Sequence, residues 1–437
     1  HGILNEVCRE AAAWGTRMLP RGTYDVQQEP GRTPALIFSV PGTGLYAGRE
    51  EDTVFFYGHL DKQPPATGWS EGLGPFTPVV RDGKLYGRGC SDDGYSVYAA
   101  LTAIRALEDA GIPHPRAVGL IETREESGSN DLEHYLKKNA ARFGSPRLVC
   151  VLDSGAGNYE QLWLTSSLRG ACAIDLNVRV LRQGMHSGTA SGVVPSSFDV
   201  LRILLDRIQD PRTGAILDPA FNVEIPSNRM DDMKKTAEVL GDGFISEFPW
   251  AEGPNGSVQS RCCGTEEALI ARCWKPTLSV TGAAGLPPLS MAGNSLRSDT
   301  TLRLSFRLPP TAKTENILPA LQKKLLTDPP FNAVVSIAGG DALPGWNAPS
   351  EADWFRSACD ESSKALWGKP AMRIGEGGSI PILNLFEAQF PRAQFAVTGV
   401  LGPGSNAHNA DESLDLAYTE KFIAAVGYLA ASIPEEA

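Results

Sequence analysis

The stretch Thr53-Val54-Phe55-Phe56-Tyr57-Gly58-His59-Leu60-Asp61 decides the fold, because a short apolar run ends in a histidine and an aspartate. Its first five residues, 53–57, predict a buried strand. Two further apolar runs, residues 117–121 and 148–152, follow at intervals that leave room for helices. Strands that alternate with amphipathic segments indicate an α/β domain built on a mostly parallel sheet.

Two segments between these strands have helical character. Residues 95–107 carry apolar side chains at helical spacing, which predicts a helix there. A second helix is expected to begin at Asn130, because Asn130 followed by Glu133 resembles a capping box.

A different pattern begins near Ser167. Residues 174–180 and 302–308 alternate apolar with polar side chains, which predicts an antiparallel sheet with one buried face. Amphipathic helices are expected at residues 198–208 and 317–326, so this part should form a separate two-layer α+β domain. The α/β pattern returns after Pro349, with a helix at 354–366, a turn-rich run at 375–378 and a strand at 395–400. We therefore predict a discontinuous domain, 1–167 plus 346–437, with residues 168–345 inserted into it.

Charge and composition exclude several classes of partner. The 437-residue chain has a formal charge of −11 and no run of basic residues, which argues against nucleic acid or an anionic membrane as a partner. It has no apolar stretch of the roughly 20 residues that a membrane span needs. The N-terminus lacks a signal-peptide pattern, so the default expectation is a cytoplasmic protein, although a removed leader would leave no trace.

The eight cysteines contain no Cys-x-x-Cys pair, which indicates reduced and mostly buried thiols. A metal site formed by Cys262, Cys263 and Cys273 is the less favoured alternative.

Carboxylates and histidines follow the predicted strands at the point where each strand ends. In open α/β sheets this edge is where ligands bind. His59 and Asp61 follow the first strand, Asp92 precedes the first helix, and the remaining candidates, each after a later strand, are Glu125, Glu126, Asp153 and His408. Taken singly, each has an ordinary explanation as a surface histidine, a solvated acidic pair or a turn residue.

Two imidazoles and three carboxylates without a thiol suit a divalent ion, with Zn²⁺ preferred and Mn²⁺ or Co²⁺ as alternatives. The five predicted ligands are His59, Asp92, Glu126, Asp153 and His408. They are too many for one tetrahedral zinc but suit two ions that share a carboxylate. A hydrolytic centre of this kind also needs a proton carrier, and Glu125 can supply it.

Several blocks of sequence, in order, resemble a known family, the dinuclear zinc metallopeptidases that include aminoacylases, carboxypeptidase G and carnosinase-type dipeptidases. The resemblance covers nearly the whole chain and is closest to the branch of carnosinase and cytosolic nonspecific dipeptidase. The blocks are Tyr57-Gly58-His59-Leu60-Asp61, Asp82-Gly83-Lys84-Leu85-Tyr86-Gly87-Arg88-Gly89, Ser91-Asp92-Asp93, Glu125-Glu126-Ser127-Gly128-Ser129, Leu168-Arg169-Gly170, His186-Ser187-Gly188, Gly377-Gly378-Ser379-Ile380-Pro381 and His408-x-x-x-Glu412.

The resemblance implies a role for each residue of the cluster. His59 and Asp153 would hold one ion, Glu126 and His408 the other, and Asp92 would bridge them. Asp61 would orient His59, Glu125 would act as general base, and the peptide bond after Asp92 would be cis.

The resemblance also implies that the inserted domain is a lid and dimerisation domain. In relatives that dimerise through it, a histidine at the position of His186 reaches the partner's active site and stabilises the oxyanion. Arg307, with Gly378 and Ser379, would grip a substrate carboxylate. The ordinary alternatives are a polar loop histidine for His186 and a solvated sheet-face arginine for Arg307.

Asp153 bears on the substrate, because aspartate at this position accompanies dipeptidases and aminopeptidases in the family, whereas glutamate accompanies aminoacylases and carboxypeptidases. There are two departures from the family pattern. Gly94 stands where many relatives carry lysine, and Asn294-Ser295-Leu296-Arg297 replaces a Val-Ile-Pro-containing segment, which makes Asn294 a candidate substrate contact.

We therefore expect hydrolysis of an amide bond in a small carboxylate-bearing substrate, preferably a dipeptide. One alternative is an amidohydrolase acting on an N-acyl, N-carbamoyl or otherwise modified amino acid. A remote alternative is a non-catalytic binding protein on the same fold.

Overall fold

The computed structural model describes residues 2–380 and 382–435, so Pro381 of the Gly-Gly-Ser-Ile-Pro block lies outside the described residues. The chain divides into two units. The first unit comprises His1–Ser166, Ala348–Ile374 and Ile382–Ala437, and the second comprises Ser167–Asn347 and Gly375–Pro381. The assignment of these units to a catalytic and a lid domain stays a prediction.

The strands in chain order are β1 (Thr23–Gln27), β2 (Ala35–Val40), β3 (Asp52–His59), β4 (Val79–Arg81), β5 (Lys84–Tyr86), β6 (Arg116–Glu122), β7 (Ser145–Val151), β8 (Trp163–Leu168), β9 (Gly170–Arg179), β10 (Met185–His186), β11 (Glu252–Gly253), β12 (Gly256–Ser257), β13 (Thr277–Ala284), β14 (Ser295–Leu296), β15 (Asp299–Leu308), β16 (Val334–Leu343), β17 (Trp346–Asn347), β18 (Met372–Glu376), β19 (Gln394–Val397) and β20 (Ser413–Asp415).

The α-helices are α1 (Gly2–Met18), α2 (Ser96–Asp109), α3 (Leu132–Lys138), α4 (Ala140–Phe143), α5 (Ser187–Ala190), α6 (Ser197–Asp206), α7 (Ser227–Leu240), α8 (Gly243–Ser246), α9 (Thr265–Cys273), α10 (Ile317–Leu326), α11 (Asp353–Trp367), α12 (Ile382–Gln389) and α13 (Leu416–Ala431). None of the described helices is long and apolar enough to cross a membrane.

The first unit contains a six-stranded sheet of order β1-β2-β6-β3-β7-β19. Strands β6, β3, β7 and β19 run parallel, whereas β1 and β2 add two antiparallel pairings at one edge. The predicted α/β class with a mostly parallel sheet is thus confirmed. All residues of β6 and nearly all of β3 are buried, because a parallel sheet is covered on both faces.

Phe55 of β3 packs against three other aromatic rings in the core of this unit. Its ring centroid lies 5.0 Å from that of Phe143, 5.3 Å from Phe386 and 5.1 Å from Phe390. Aromatic rings at these separations pack edge to face or tilted and bury large apolar areas. The apolar run that predicted the fold therefore also supplies the centre of its core.

The helix expected from Asn130 begins instead at Leu132, and its N-terminal residue Asp131 makes no side-chain capping bond. The Asp131 carboxylate accepts hydrogen bonds from Arg32 and from the backbone N–H of Thr33. The predicted capping box is therefore wrong, since a tertiary contact takes the carboxylate nearest the helix start.

The second unit contains an antiparallel four-stranded sheet of order β13-β15-β9-β16. Along β9 and β15 the buried and exposed positions alternate as predicted. The buried face packs on α6 and α10, which lie close to the predicted helices 198–208 and 317–326. Helices α7 and α9, also in this unit, were not predicted from the sequence.

Leu304 of β15 is fully buried in the core of this second unit. Replacing it by alanine is expected to lower the free energy of unfolding by about 2–5 kcal/mol, because the lost side chain leaves a cavity. Urea titration followed by circular dichroism measures the change.

Arg303→Ala is the matched control, since Arg303 is 60% exposed and pairs with Asp175 on the open face. It should cost less than about 1 kcal/mol. Equal losses for the two variants would contradict the assignment of the buried face.

Candidate metal centre

Three adjacent parallel strands bring predicted ligands to one edge of the central sheet. His59 is the last residue of β3, Glu126 lies in the 3₁₀ turn Glu125–Ser127 after β6, and Asp153 follows β7 by two residues. Since β6 and β7 flank β3, the carboxyl ends of all three meet at one crevice. The strand pairing therefore explains why residues distant in sequence converge.

The five predicted ligands form two groups that share Asp92. In one group, His59 Nε2 lies 3.3 Å from Asp92 Oδ1 and 3.8 Å from Asp153 Oδ1. In the other, His408 Nε2 lies 2.8 Å from Asp92 Oδ2 and 3.4 Å from Glu126 Oε2. Candidate ligand atoms within each group lie within 4.8 Å of one another. Asp92 thus turns one oxygen toward each group.

The donor atoms of this cluster fit divalent cations. His59 Nε2 and Glu126 Oε1 are buried and make no hydrogen bond to any described residue, although Asp92 Oδ1 is 3.3 Å from the histidine nitrogen. Buried polar atoms without partners are rare and call for an explanation. The carboxylates within each group, whose candidate ligand atoms lie within 4.8 Å of one another, also repel one another. A bound cation would give the buried donor atoms a partner and would offset this repulsion. Oxygen and imidazole donors suit Zn²⁺, Mn²⁺ or Co²⁺.

Asp61 connects His59 to the turn that carries the two glutamates. Its Oδ1 accepts the backbone N–H of Glu125 at 3.1 Å, and its Oδ2 accepts that of Glu126 at 3.0 Å. His59 Nδ1 lies 3.1 Å from the backbone oxygen of Asp61 and 3.4 Å from Oδ1. Burial opposes the charged form, but His59 and the two N–H groups lower the pKa of Asp61. With Nδ1 engaged there, Nε2 faces the carboxylate cluster.

Asp93 supports the same histidine from the backbone side. Its Oδ2 accepts the His59 N–H at 2.9 Å, and the peptide bond between Asp92 and Asp93 is cis, as the resemblance implied. Gly58 makes this approach possible, because a Cβ at Gly58 would lie 2.5 Å from Asp93 Oδ2 and 2.0 Å from Ser96 Oγ. Any larger residue at position 58 would displace these groups.

Glu412 fixes the loop that carries Asp92. Its carboxylate is buried and accepts the backbone N–H groups of Gly89 at 2.9 Å and of Ser91 and Asp92 at 3.2 Å each. Arg88 Nη1 donates to the same carboxylate at 2.7 Å. Pairing of β20 with β5 brings the two segments together, since Glu412 precedes β20 and Arg88 follows β5.

Glu125 stands beside the first group of predicted ligands, with its Oε2 4.0 Å from His59 Nε2. Burial, followed by repulsion from Asp153, raises the pKa of Glu125 to about 8. Burial also raises the pKa of Asp153 to about 6, with His59 opposing the shift and Asp92 adding to it. A bound cation would oppose both shifts, since it favours the charged carboxylates. Glu125 is thus a half-buried carboxylate whose proton affinity is tuned by its neighbours.

The remaining predicted site residues belong to the second unit. His186 ends β10 and is exposed, and its Nδ1 accepts the backbone N–H of Gly188 at 3.1 Å. This bond places the proton of a neutral ring on Nε2. The backbone oxygen of Asn294 accepts the Ser187 N–H at 2.9 Å, so the structure brings Asn294 and His186 together. The Asn294 side chain is exposed.

Arg307 and the glycine-rich segment 375–380 also lie together in the second unit. Arg307 Nη1 donates to Ser379 Oγ at 3.2 Å, and the Ser379 hydroxyl in turn donates to the backbone oxygen of Arg169. Gly378 is exposed, and a Cβ there would meet nothing within 4 Å. Arg169 Nε donates to the backbone oxygen of Gly377 at 3.2 Å, so two arginines hold this segment.

Sequence reasoning gave no role to several residues of the centre. Gln63 Nε2 donates to Glu126 Oε2 at 2.6 Å, Asp93 is buried and accepts the backbone N–H of His59, and Lys62 is partly exposed with its Nζ buried. Glu412 was noted only as part of a motif. Lys62 and Gln63 directly follow Asp61, and this position next to a predicted site residue is the one sequence feature that could have pointed to them. Their contacts, however, involve residues far away in the chain.

Comparison with known proteins shows the family to which the chain belongs. The model of Peptidase family M20/M25/M40 matches residues 55–433. The Cys-Gly metallodipeptidase dug1 of Schizosaccharomyces pombe is 28% identical over 377 residues, which cover 83% of this chain and 76% of that protein. The human Beta-Ala-His dipeptidase is 26% identical over 410 residues, 90% of this chain and 76% of that protein.

Among solved structures, the M20 family metallo-carboxypeptidase Sso-CP2 from Sulfolobus solfataricus superposes with a TM-score of 0.77 at 21% identity. The alignment covers 98% of this chain and 94% of that one. At this identity the likeness shows a shared fold. Since the family model spans nearly the whole chain, this protein belongs to Peptidase family M20/M25/M40 and is a metal-dependent hydrolase of peptide bonds.

Proposed function

We propose that this protein is a dipeptidase that works with two divalent ions, preferably Zn²⁺. His59 and Asp153 would hold one ion, Glu126 and His408 the other, and Asp92 would bridge them. The observation that carries the proposal is the presentation of the two Asp92 oxygens to two separate groups of donors. When bound, the ions activate water and polarise the scissile carbonyl.

Within this scheme Glu125 moves the proton. It would take a proton from the attacking water and pass it to the leaving amine, which needs a carboxylate that both binds and releases a proton near neutral pH. Its position beside the first group of predicted ligands, with Oε2 4.0 Å from His59 Nε2, supports this role. Asp61 would hold the Glu125–Ser127 turn beside His59, because its carboxylate accepts the backbone N–H groups of Glu125 and Glu126.

Two observations support the proposed substrate class. Arg307 is held beside Ser379, and a planar guanidinium is suited to bind a free carboxylate in bidentate fashion. Relatives named Cys-Gly metallodipeptidase and Beta-Ala-His dipeptidase match more than four fifths of the chain, and Asp153 agrees with that branch. Gly378 and Asn294 would add backbone and side-chain contacts to the substrate.

His186 would stabilise the oxyanion and act across a homodimer formed through the second unit. Its Nε2 carries the proton, because Nδ1 already accepts from Gly188, and an exposed N–H is the donor that a developing oxyanion needs.

Glu125→Gln is expected to lower kcat about 10²–10⁴-fold, because glutamine has the same shape but cannot carry the proton. Turnover of a dipeptide measures kcat, and elemental analysis should still find the metal content of the unaltered protein. Glu133→Gln is the control, since Glu133 is exposed and, among the described residues, forms an ion pair with Lys137. Unchanged turnover of Glu125→Gln would remove Glu125 from the mechanism.

A substrate panel separates the proposed activity from its nearest rival. The metal-loaded protein should hydrolyse dipeptides with a higher kcat/KM than N-acetyl or N-carbamoyl derivatives of the same amino acids. Dipeptide amides, which lack the free carboxylate, should be poor substrates because Arg307 loses its partner. Faster hydrolysis of the N-acyl or N-carbamoyl compounds would favour the amidohydrolase.

Mixing two inactive variants tests the action of His186 across a dimer. Glu125→Gln and His186→Ala subunits, allowed to exchange, should recover about a quarter of the original activity, because half the dimers are mixed and each has one complete site. The control replaces the Glu125→Gln partner with the double variant, which leaves no site complete. No recovery after verified exchange would show that His186 does not act in trans.

A further inference from the structure

The side chain of Lys62 lies against the loop that carries Asp92, next to the carboxylate cluster proposed to hold the ions. Lys62 directly follows Asp61, and although the residue is partly exposed, its Nζ is buried and makes no hydrogen bond to any described residue. A buried ammonium group without a partner is costly and calls for a reason.

Two glycines make room for this side chain. A Cβ at Gly89 would lie 1.8 Å from Lys62 Cδ and 2.3 Å from Cε, and a Cβ at Gly94 would lie 2.9 Å from Nζ. Both positions belong to the loop that carries Asp92. The side chain of Lys62 therefore occupies the space over Gly94, the position at which the family pattern has lysine in many relatives.

The surroundings of the ammonium group are acidic. Burial lowers the pKa of Lys62, whereas the carboxylates of Asp93, Asp92, Glu412 and Asp61, in that order, raise it. Asp92 is the shared candidate ligand, and Asp93 and Asp61 both contact His59. The charge of Lys62 thus acts on the groups that form and orient the centre.

We propose that Lys62 is a positioning residue whose ammonium group offsets the charge of Asp92 and Asp93, so that the ligand loop stays ordered and the ions are held less tightly than the carboxylates alone would hold them. The inference rests on the proposed two-ion centre. Through Asp92, Lys62 would reduce the negative charge that the centre presents to the ions, and weaker donation by the ligands leaves an ion a stronger Lewis acid.

This role predicts that removing the charge lowers the stability of the metal-free protein and raises its affinity for Zn²⁺. Methionine in place of Lys62 keeps an unbranched side chain of similar length, so packing against Gly89 and Gly94 is retained. The metal-free variant should unfold at a lower temperature than the metal-free unaltered protein, because the carboxylates repel one another without compensation. Its affinity for Zn²⁺ should rise on the order of 10-fold, since a repulsion between the ammonium group and the ions is removed.

Competition with a chromophoric chelator measures the Zn²⁺ affinity, and differential scanning calorimetry measures the unfolding of the metal-free protein. Lys137→Met is the matched control, because Lys137 is 70% exposed and its removal changes the net charge equally. It should alter neither quantity. Lys62→Gln serves as a second neutral variant if the methionine variant does not fold.

The outcomes separate this inference from the proposal beneath it. If the unaltered protein binds no Zn²⁺, the two-ion centre itself is wrong. If it binds two ions but both Lys62 variants bind them with equal or lower affinity, the centre stands and the role of Lys62 is overturned. Loss of a residue that only fills space would weaken metal binding, so a rise in affinity is specific to charge compensation.

Discussion

The electrostatic repulsion among Asp92, Glu126 and Asp153 is the constraint on which the rest of the structure depends. The fold brings these carboxylates together at the carboxyl edge of three adjacent strands, where two histidines meet them. Like charges at such separations are unstable in a buried setting unless cations or protons offset them. In the structure the offset comes in part from the side-chain amide of Gln63, which donates to Glu126, from His59 and His408, and from the buried ammonium group of Lys62. The remaining negative charge would be offset by the cations that are proposed to bind these side chains.

Three further carboxylates hold the backbone segments that carry the predicted ligands. Asp61 binds the backbone of the glutamate turn, Asp93 binds the backbone of His59, and Glu412 gathers three N–H groups of the Asp92 loop. Each support is itself a carboxylate that accepts backbone hydrogen bonds, which are directional and hold the ligands at fixed angles. The rigidity that a hydrolytic centre requires therefore comes from residues that need not touch the ions.

The sequence was informative wherever periodicity and local order carry the signal. Strands β3, β6 and β7 were predicted because buried parallel strands are continuous apolar runs, and β9 and β15 because a half-exposed sheet alternates. Strand β1 was not predicted, because its residues, Thr23–Gln27, are mostly polar and lie at a sheet edge. Helices α7 and α9 were missed because their apolar positions are few and their helical character depends on the packing of one on the other.

For the candidate site, strand ends and motifs brought attention to the five predicted ligands, Asp61 and Glu125. They could not reveal what Lys62, Asp93 and Glu412 contact, since those partners come from other parts of the chain. The expected capping role near Asn130 failed for the same reason, as Arg32 and Thr33 bind the neighbouring carboxylate. Local patterns thus identify which residues gather at an edge, while the hydrogen bonds that hold them follow only from the tertiary fold.

The most direct measurement is an anomalous diffraction map of the Zn²⁺-loaded protein, recorded on both sides of the zinc absorption edge. The account predicts two peaks per chain about 3.5–4 Å apart, with Asp92 between them and one histidine on each. A single peak, or two peaks away from Asp92, would contradict the two-ion centre.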